Sequence, residues 1–298
     1  MSREQASDLA AMLILGGSVR GNPFEEQVGR SVMDLPLSPH ETVLDRWYEA
    51  AYDLTQHFGI PRLPVRVTLS PSAIEPTLRR GAINTPIRLD RDAEELRGPG
   101  GALADVAAEF PDDALILAVS GFQIAVDPVP IMVAQLFDVL QDGAILARED
   151  GHPVTLFLLR CGSLRDVPSV GFVDFKEQVL PRMAESFDIR VVHWPQVGIQ
   201  SIRTLEDYLA CLRLIYSLEM RQGHGSTLGR PHEPWRPIFS IVEPGGKVAD
   251  GVDLLDSVVL RGGEVEEGAV VVRSIVAEGG VVRAGKMVEG QIVRRIVV

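Results

Sequence analysis

The sequence predicts an α/β domain with a mostly parallel sheet wrapped by helices, followed by a short left-handed parallel β-helix. Three observations carry this expectation. Apolar runs alternate with helical patterns over the first two-thirds of the chain. A Gly/Pro-rich stretch then interrupts that pattern. The Val-rich tail beyond it repeats with a six-residue phase.

The apolar runs are Ala11–Leu15, Pro64–Leu69, Ala114–Val119, Val154–Leu159 and Ile189–Val192. Unbroken runs of this length suit strands buried on both faces, as in a parallel sheet. Between them, Glu41 to Phe58 places Val43, Leu44, Trp47, Ala51, Leu54 and Phe58 at helical spacing, and Ile131–Leu140 and Thr204–Met220 read the same way. Strand–helix alternation means βαβ units, hence an open parallel sheet. The first domain is expected over 1–222. A linker over 223–239 follows from Gly223, Gly225, Gly229, Pro231, Pro234 and Pro237.

The tail, 240–298, repeats. Steps of six from Val252 reach Val258, Glu264, Val270, Val276, Val282 and Val288, with mostly small residues four positions later. Hexapeptide repeats of this kind put one aliphatic residue inward on each side of a triangular coil and small residues at its corners. Val258, Val270, Val276 and Val282 are therefore expected to point inward. A β-meander would instead make every second residue apolar, and it gives no reason for small residues at a fixed phase.

Bulk composition excludes several classes. Hydrophobic residues make up 46% and charged residues 23%, an ordinary globular balance. The formal net charge of −12 carries no basic stripe for nucleic acid. No apolar stretch is long enough to span a membrane. Two cysteines, Cys161 and Cys211, suggest neither a disulfide framework nor a zinc site, and the N-terminus lacks a signal-peptide pattern. The expected location is cytoplasmic. The six histidines show no ligand spacing, and G-x-S-x-G and P-loop patterns are absent.

Three motifs could carry chemistry. Gly16-Gly17, with Arg20 soon after, follows the first apolar run, where glycines let a backbone turn approach a phosphate. The same pair also reads as an ordinary turn. Gly98, Gly100 and Gly101 stand in Arg97-Gly-Pro-Gly-Gly-Ala-Leu103 at a helix entrance, and a plain capping loop reads equally well. Val170 to Pro181 contains Asp174, Lys176 and Glu177, a cluster able to hold a sugar hydroxyl or a phosphate, or to act as a helix cap with a solvated face.

In this order, and with Ile-x-Thr-x-Glu-Asp-Tyr and the repeat tail after them, the motifs resemble the sugar-1-phosphate nucleotidyltransferases, such as the mannose-1-phosphate guanylyltransferase and glucose-1-phosphate thymidylyl- or adenylyltransferase groups. The resemblance runs from about Met12 to Val298. It implies a Rossmann-like nucleotidyltransferase domain that moves a nucleoside monophosphate from an NTP to a sugar 1-phosphate with Mg²⁺, releasing pyrophosphate. It implies nucleotide binding at Gly16, Gly17, Arg20, Gly98, Gly100 and Gly101, and sugar-phosphate binding at Asp174 and Lys176. Thr204, Glu206, Asp207 and Tyr208 match the element that opens the last helix of that domain.

The chain departs from the pattern where the chemistry sits. Ser18 and Val19 replace the Gly-Thr of the signature, and Ser31 to Asp34 lacks its phosphate-binding Lys, leaving Arg30 as a substitute from a shifted loop. Phe122 and Ser201 stand where the resemblance places the two metal-binding carboxylates. Magnesium needs hard oxygen ligands, and phosphoryl-type transfer depends on cations that neutralise spreading charge. The expectation is an impaired relative that binds a nucleotide or sugar nucleotide in polysaccharide biosynthesis, as a pseudoenzyme or a regulatory or scaffold subunit. The alternative is an active NDP-sugar synthase with a metal site rebuilt from Asp113, Asp127 or Asp174. Self-association through the tail is expected by resemblance and from its flat β edges.

Overall fold

The computed structural model describes residues 6–17, 22–78, 87–92, 97–195, 198–221 and 239–295. Arg20 and nearly all of the expected linker lie outside them. The chain forms two compact units, one of Met1–Gly21 with Leu44–Gln200 and one of Asn22–Val43 with Ser201–Val298. This division differs from a boundary at 222, because the segment after the first glycine turn and the last long helix group with the tail.

The first unit is built on a seven-stranded sheet. Its strands are β1 (Leu9–Leu15), β2 (Val65–Leu69), β3 (Ile87–Arg91), β4 (Leu115–Ser120), β6 (Gly143–Arg148), β7 (Pro153–Arg160) and β8 (Ile189–Trp194), in the order β3-β2-β1-β4-β7-β6-β8. β5 (Gln123–Ala125) and β9 (Ile199–Ser201) form a separate two-stranded sheet. β1 lies between β2 and β4 and runs parallel to both, with Ile14 level with Val67 and Val119. The central strands are buried along nearly their whole length; β1 and β4 are largely apolar, and β2 buries Arg66 by pairing it with Asp90 and Glu109.

One strand breaks the expected parallel order. β7 is antiparallel to both β4 and β6. Its link to β6 is a tight turn in which Gly151 takes φ +82° and the Arg148 amide donates to the His152 carbonyl at 2.9 Å. So short a connection can only reverse the chain.

α2 (Val43–Phe58) buries Leu44, Trp47, Ala51, Leu54 and Phe58, the stripe read from the sequence. α3 (Gly98–Ala107), α4 (Val129–Val139) and α5 (Leu180–Ser186) complete this unit. Phe157 and Phe175 stack at 4.7 Å in the core between sheet and helices.

The second unit holds α1 (Pro23–Val28), α6 (Leu205–Arg221) and the tail strands. The tail strands stack in parallel. The first layer is β10 (Ser240–Val242), β11 (Lys247–Val248) and β12 (Asp253–Leu255). The second is β13 (Ser257–Val259), β14 (Glu264–Val265) and β15 (Val270–Val272), and the third is β16 (Ile275–Val276), β17 (Val281–Val282) and β18 (Met287–Glu289), before β19 (Ile292–Val293). Ser240 pairs with Ser257, Lys247 with Glu264 and Asp253 with Val270, so one layer is 17 residues.

That length corrects the six-residue phase. Two sides advance by six residues and the third by five, because one corner is a single residue: Asp256, then Arg273, then Gly290, all at positive φ. The inner cluster therefore runs Val259, Val265, Val271, Val276 and Val282. Val276 and Val282 point inward as expected. Val270 is half-buried and Val271 takes its place, while Val258 is buried on the opposite face of its strand from Val259. No helix among the described residues is long and apolar enough to cross a membrane.

Candidate functional site

In an open α/β sheet, ligands gather beyond the carboxyl ends of the strands where the strand order reverses. Here that point is β1, flanked by β2 and β4. Gly16 follows β1 directly; its amide donates to the Thr68 carbonyl at 2.8 Å, and the Gly121 amide donates to the Leu15 carbonyl at 2.9 Å. These bonds hold the ends of β1, β2 and β4 in one row. Gly17 comes next, and a Cβ there would collide with the Ser70 amide nitrogen and sit 3.1 Å from the Leu69 carbonyl carbon. The second glycine is set by this close backbone approach.

Two residues that motif reading missed belong to the same row. Ser70 directly follows β2, is buried, and its hydroxyl oxygen has no hydrogen-bond partner among the described residues. Asp92 follows β3, and its amide donates to the Leu69 carbonyl at 2.9 Å, which fixes it beside the end of β2. Burial pushes the Asp92 carboxyl up to about 6, Asp105 adds to the rise, and Arg97 opposes it. A carboxylate so displaced at a strand end is a functional candidate. Position was the available signal, since each residue directly follows a strand: Ser70 follows the expected run Pro64–Leu69, and Asp92 follows β3, whose charged sequence shows no apolar run.

The Gly98 loop is explained by packing. Gly98 has φ +72°, and a Cβ there would meet the Phe172 ring and the Val173 carbonyl. At Gly100 it would meet Val179 and the Val173 carbonyl, and at Gly101 the Arg97 side chain. Arg97 is buried, forks onto Asp105 at 2.6 and 2.7 Å, and donates to the Pro168 carbonyl at 2.6 Å. The space these glycines leave is taken by the protein's own atoms.

Asp174 caps a turn of π-helix at Phe175–Val179, accepting from the Glu177 amide at 2.8 Å. Lys176 is exposed and donates to the Pro153 carbonyl at 2.9 Å. Thr204 and Asp207 cap each other's amides at the start of α6, and the Tyr208 hydroxyl donates to the Pro36 carbonyl. Arg30 binds both carboxylate oxygens of Glu243, at 2.9 and 3.0 Å.

The residues present do not fit magnesium. Phe122 immediately precedes β5, and Ser201 closes β9. Asp127 uses one carboxylate oxygen to accept from both Trp194 and Gly198 at 2.8 Å. Asp113 precedes β4 and so lies at the far end of that strand from Phe122, about 20 Å away for six residues. Among the described residues, no group of three His, Cys, Asp or Glu is placed to hold a metal ion.

What fold and site define is a largely parallel α/β unit with a glycine turn at its switch point, joined to a unit of stacked parallel strands. No protein-family model matches the chain, and no curated protein matches it. Among solved structures, one distant neighbour is the crystal structure of a Mycobacterium tuberculosis Rv0371c homolog from Mycobacterium sp. strain JC1. It is 18% identical with a TM-score of 0.48, and the match covers 72% of this chain and 99% of that one.

Proposed function

We propose that the chain is a sugar-phosphate nucleotidyltransferase-like protein that binds a nucleotide or sugar nucleotide and has lost most of the transferase chemistry. The observation that carries this reading is the row at the strand ends, with Gly16 and Gly17 at the switch point between β2 and β4. At such a turn a phosphate approaches the backbone closely; the Gly16 amide is already donated to the Thr68 carbonyl, so the contact falls to the amide of Gly17. Ser70 and Asp92 offer hydroxyl and carboxylate partners for a base, ribose or sugar. Phe122 and Ser201 offer no metal ligand of the kind transfer needs. The stacked tail is read as a left-handed parallel β-helix that supports self-association.

Calorimetric titration with the common NTPs and NDP-sugars, with and without Mg²⁺, tests the reading beside a pyrophosphate-release screen on hexose 1-phosphates. The expected result is binding that depends little on Mg²⁺ and is weakened by Asp92→Asn, with weak or no pyrophosphate release. Losing one electrostatic stabiliser already costs about 10²–10³ in rate. Robust metal-dependent turnover with any substrate pair overturns the reading.

A further inference from the structure

A cavity of about 510 Å³ lies within the sheet unit, between the segment 163–173 and the helical stretch 175–186. It shares no lining residue with the strand-end row. Small-ligand sites occupy about 300–1,000 Å³, so its size is of that kind.

The floor is apolar and continues the core. Val173, Val179 and Met183 are buried there, and Val167 and Phe187 pack against the same cluster. At the rim, Val170 and Phe172 are 70% and 44% exposed, and Val170 is the most exposed large apolar side chain among the described residues. Two such side chains on three consecutive residues stay wet beside a floor that is already apolar. A ligand with a carbon skeleton would take their surface out of water.

The walls are held in place by bonds of the protein's own. Arg97 donates to the Pro168 carbonyl at 2.6 Å, the Val173 amide to the Arg97 carbonyl at 3.1 Å, and the Gly100 amide to the Val173 carbonyl at 2.9 Å. The facing wall includes the π-helical turn Phe175–Val179, a form that often marks functional sites.

Charge decides which ligand suits this floor. Asp166, Arg182 and Glu185 line the cavity, and none of them forms an ion pair or hydrogen bond with another described residue. Arg182 and Glu185 stand three residues apart on α5, a spacing at which helical side chains can pair, yet they do not. Gln178 spends its side-chain oxygen on the Asp174 amide at 3.0 Å and keeps its amide N–H donors. A phosphate ester or a fatty acid would bring its anionic head to one cation and two carboxylates. A molecule carrying both signs meets a partner for each.

We infer that this cavity binds a small apolar zwitterion, an α-amino acid or dipeptide with a large apolar side chain. Arg182 and Gln178 take the carboxylate, Asp166 and Glu185 take the ammonium group, and the floor with Val170 and Phe172 takes the side chain. This assignment does not rest on nucleotide binding at the strand ends.

The test is calorimetric titration of the full chain with L-phenylalanine and with phenylalanyl-leucine. Two analogues run beside them: 3-phenylpropanoate, which lacks the ammonium group, and phenethylamine, which lacks the carboxylate. The variants are Asp166→Asn, Val170→Ser and Arg182→Gln, all at exposed positions, so each keeps the wild-type unfolding midpoint. The expected result is one zwitterion per chain, the tighter of the two identifying the free amino acid or the peptide as its source. Each analogue binds about ten-fold more weakly or worse, and Arg182→Gln weakens the zwitterion about ten-fold, the loss of one good charge-assisted contact. Asp166→Asn and Val170→Ser weaken it by smaller factors. Binding of neither zwitterion, an analogue bound as tightly as phenylalanine, or an isotherm untouched by all three substitutions each overturns the assignment. A chain that binds the zwitterion as described but no nucleotide upholds it and sinks only the strand-end reading.

Discussion

Two sets of glycines, one taken from each unit, are there for opposite reasons. In the sheet unit, Gly17, Gly100 and Gly101 have ordinary backbone angles and no room, since a Cβ at each would strike neighbouring backbone or side-chain atoms. In the stacked tail, Gly268 and Gly285 have open space around the missing Cβ but positive φ. One set answers to packing and the other to backbone conformation. The difference teaches what each substitution would cost and where repair is possible: a conformational cost falls with any residue that tolerates the left-handed region, whereas a steric one does not.

The largest expected effect is at Gly17. Gly17→Ala places a methyl group against the Ser70 amide nitrogen, which is backbone and cannot swing aside. Overpacking of this kind destabilises by about 3 kcal/mol. Denaturant unfolding measures it, and a loss below half that value would show that the row of strand ends can part, so that packing does not set this glycine.

Gly268→Ala comes next. With open space and φ +67°, only the left-handed conformation is penalised, at about 1–2 kcal/mol. Gly268→Asn should cost clearly less, because Asn visits that region readily. Equal losses for Ala and Asn would break the comparison, since they would point to crowding rather than backbone angle.

The sequence shows these regions unequally. The strands β1, β4 and β7 were legible because burial on both faces leaves a nearly unbroken apolar run, whereas β2 and β8 show only short apolar stretches: β2 carries Arg66 and Thr68, and β8 is an edge strand that is mostly exposed. β3 and β6 were not: Ile87–Arg91 carries three charges, and Gly143–Arg148 begins and ends without an aliphatic side chain. The reversal of β7 was hidden because an apolar run does not reveal strand direction. In the tail, a strict step of six caught the aliphatic rhythm but missed the one-residue corner. Aligning Ser240-Ile-Val, Ser257-Val-Val and Ser274-Ile-Val gives the true repeat of 17 directly. At the site, Gly16 and Gly17 were legible as a motif. Ser70 and Asp92 carry no motif, and only the alignment of strand ends gathers them.

The smallest expected effect separates the units by charge. Asp92 in the sheet unit has its carboxyl raised from 3.8 to about 6, chiefly by burial, whereas Glu266 in the tail is held below its usual value, first by the Ala284 amide and then by Arg283. The signs follow. Folded Asp92 holds its proton where the unfolded chain has released it, so its penalty is absent below about pH 4, grows between 4 and 6, and is complete above 6. A shift of two units converts to nearly 3 kcal/mol at most. Asp92 is only half-buried, and solvent screening reduces this to less than about 1 kcal/mol. Glu266 runs the other way: its contribution is present above the unfolded value and is lost as pH falls through the lowered one. Asp92→Asn should therefore stabilise at pH 8 and do nothing at pH 3.5, while Glu266→Gln should destabilise at pH 8 and lose that effect in acid. Unfolding midpoints for the two variants across this range check both arms. Parallel rather than opposite pH dependences would show that burial does not govern Asp92, and would remove the case for it as the displaced carboxylate of the strand-end site.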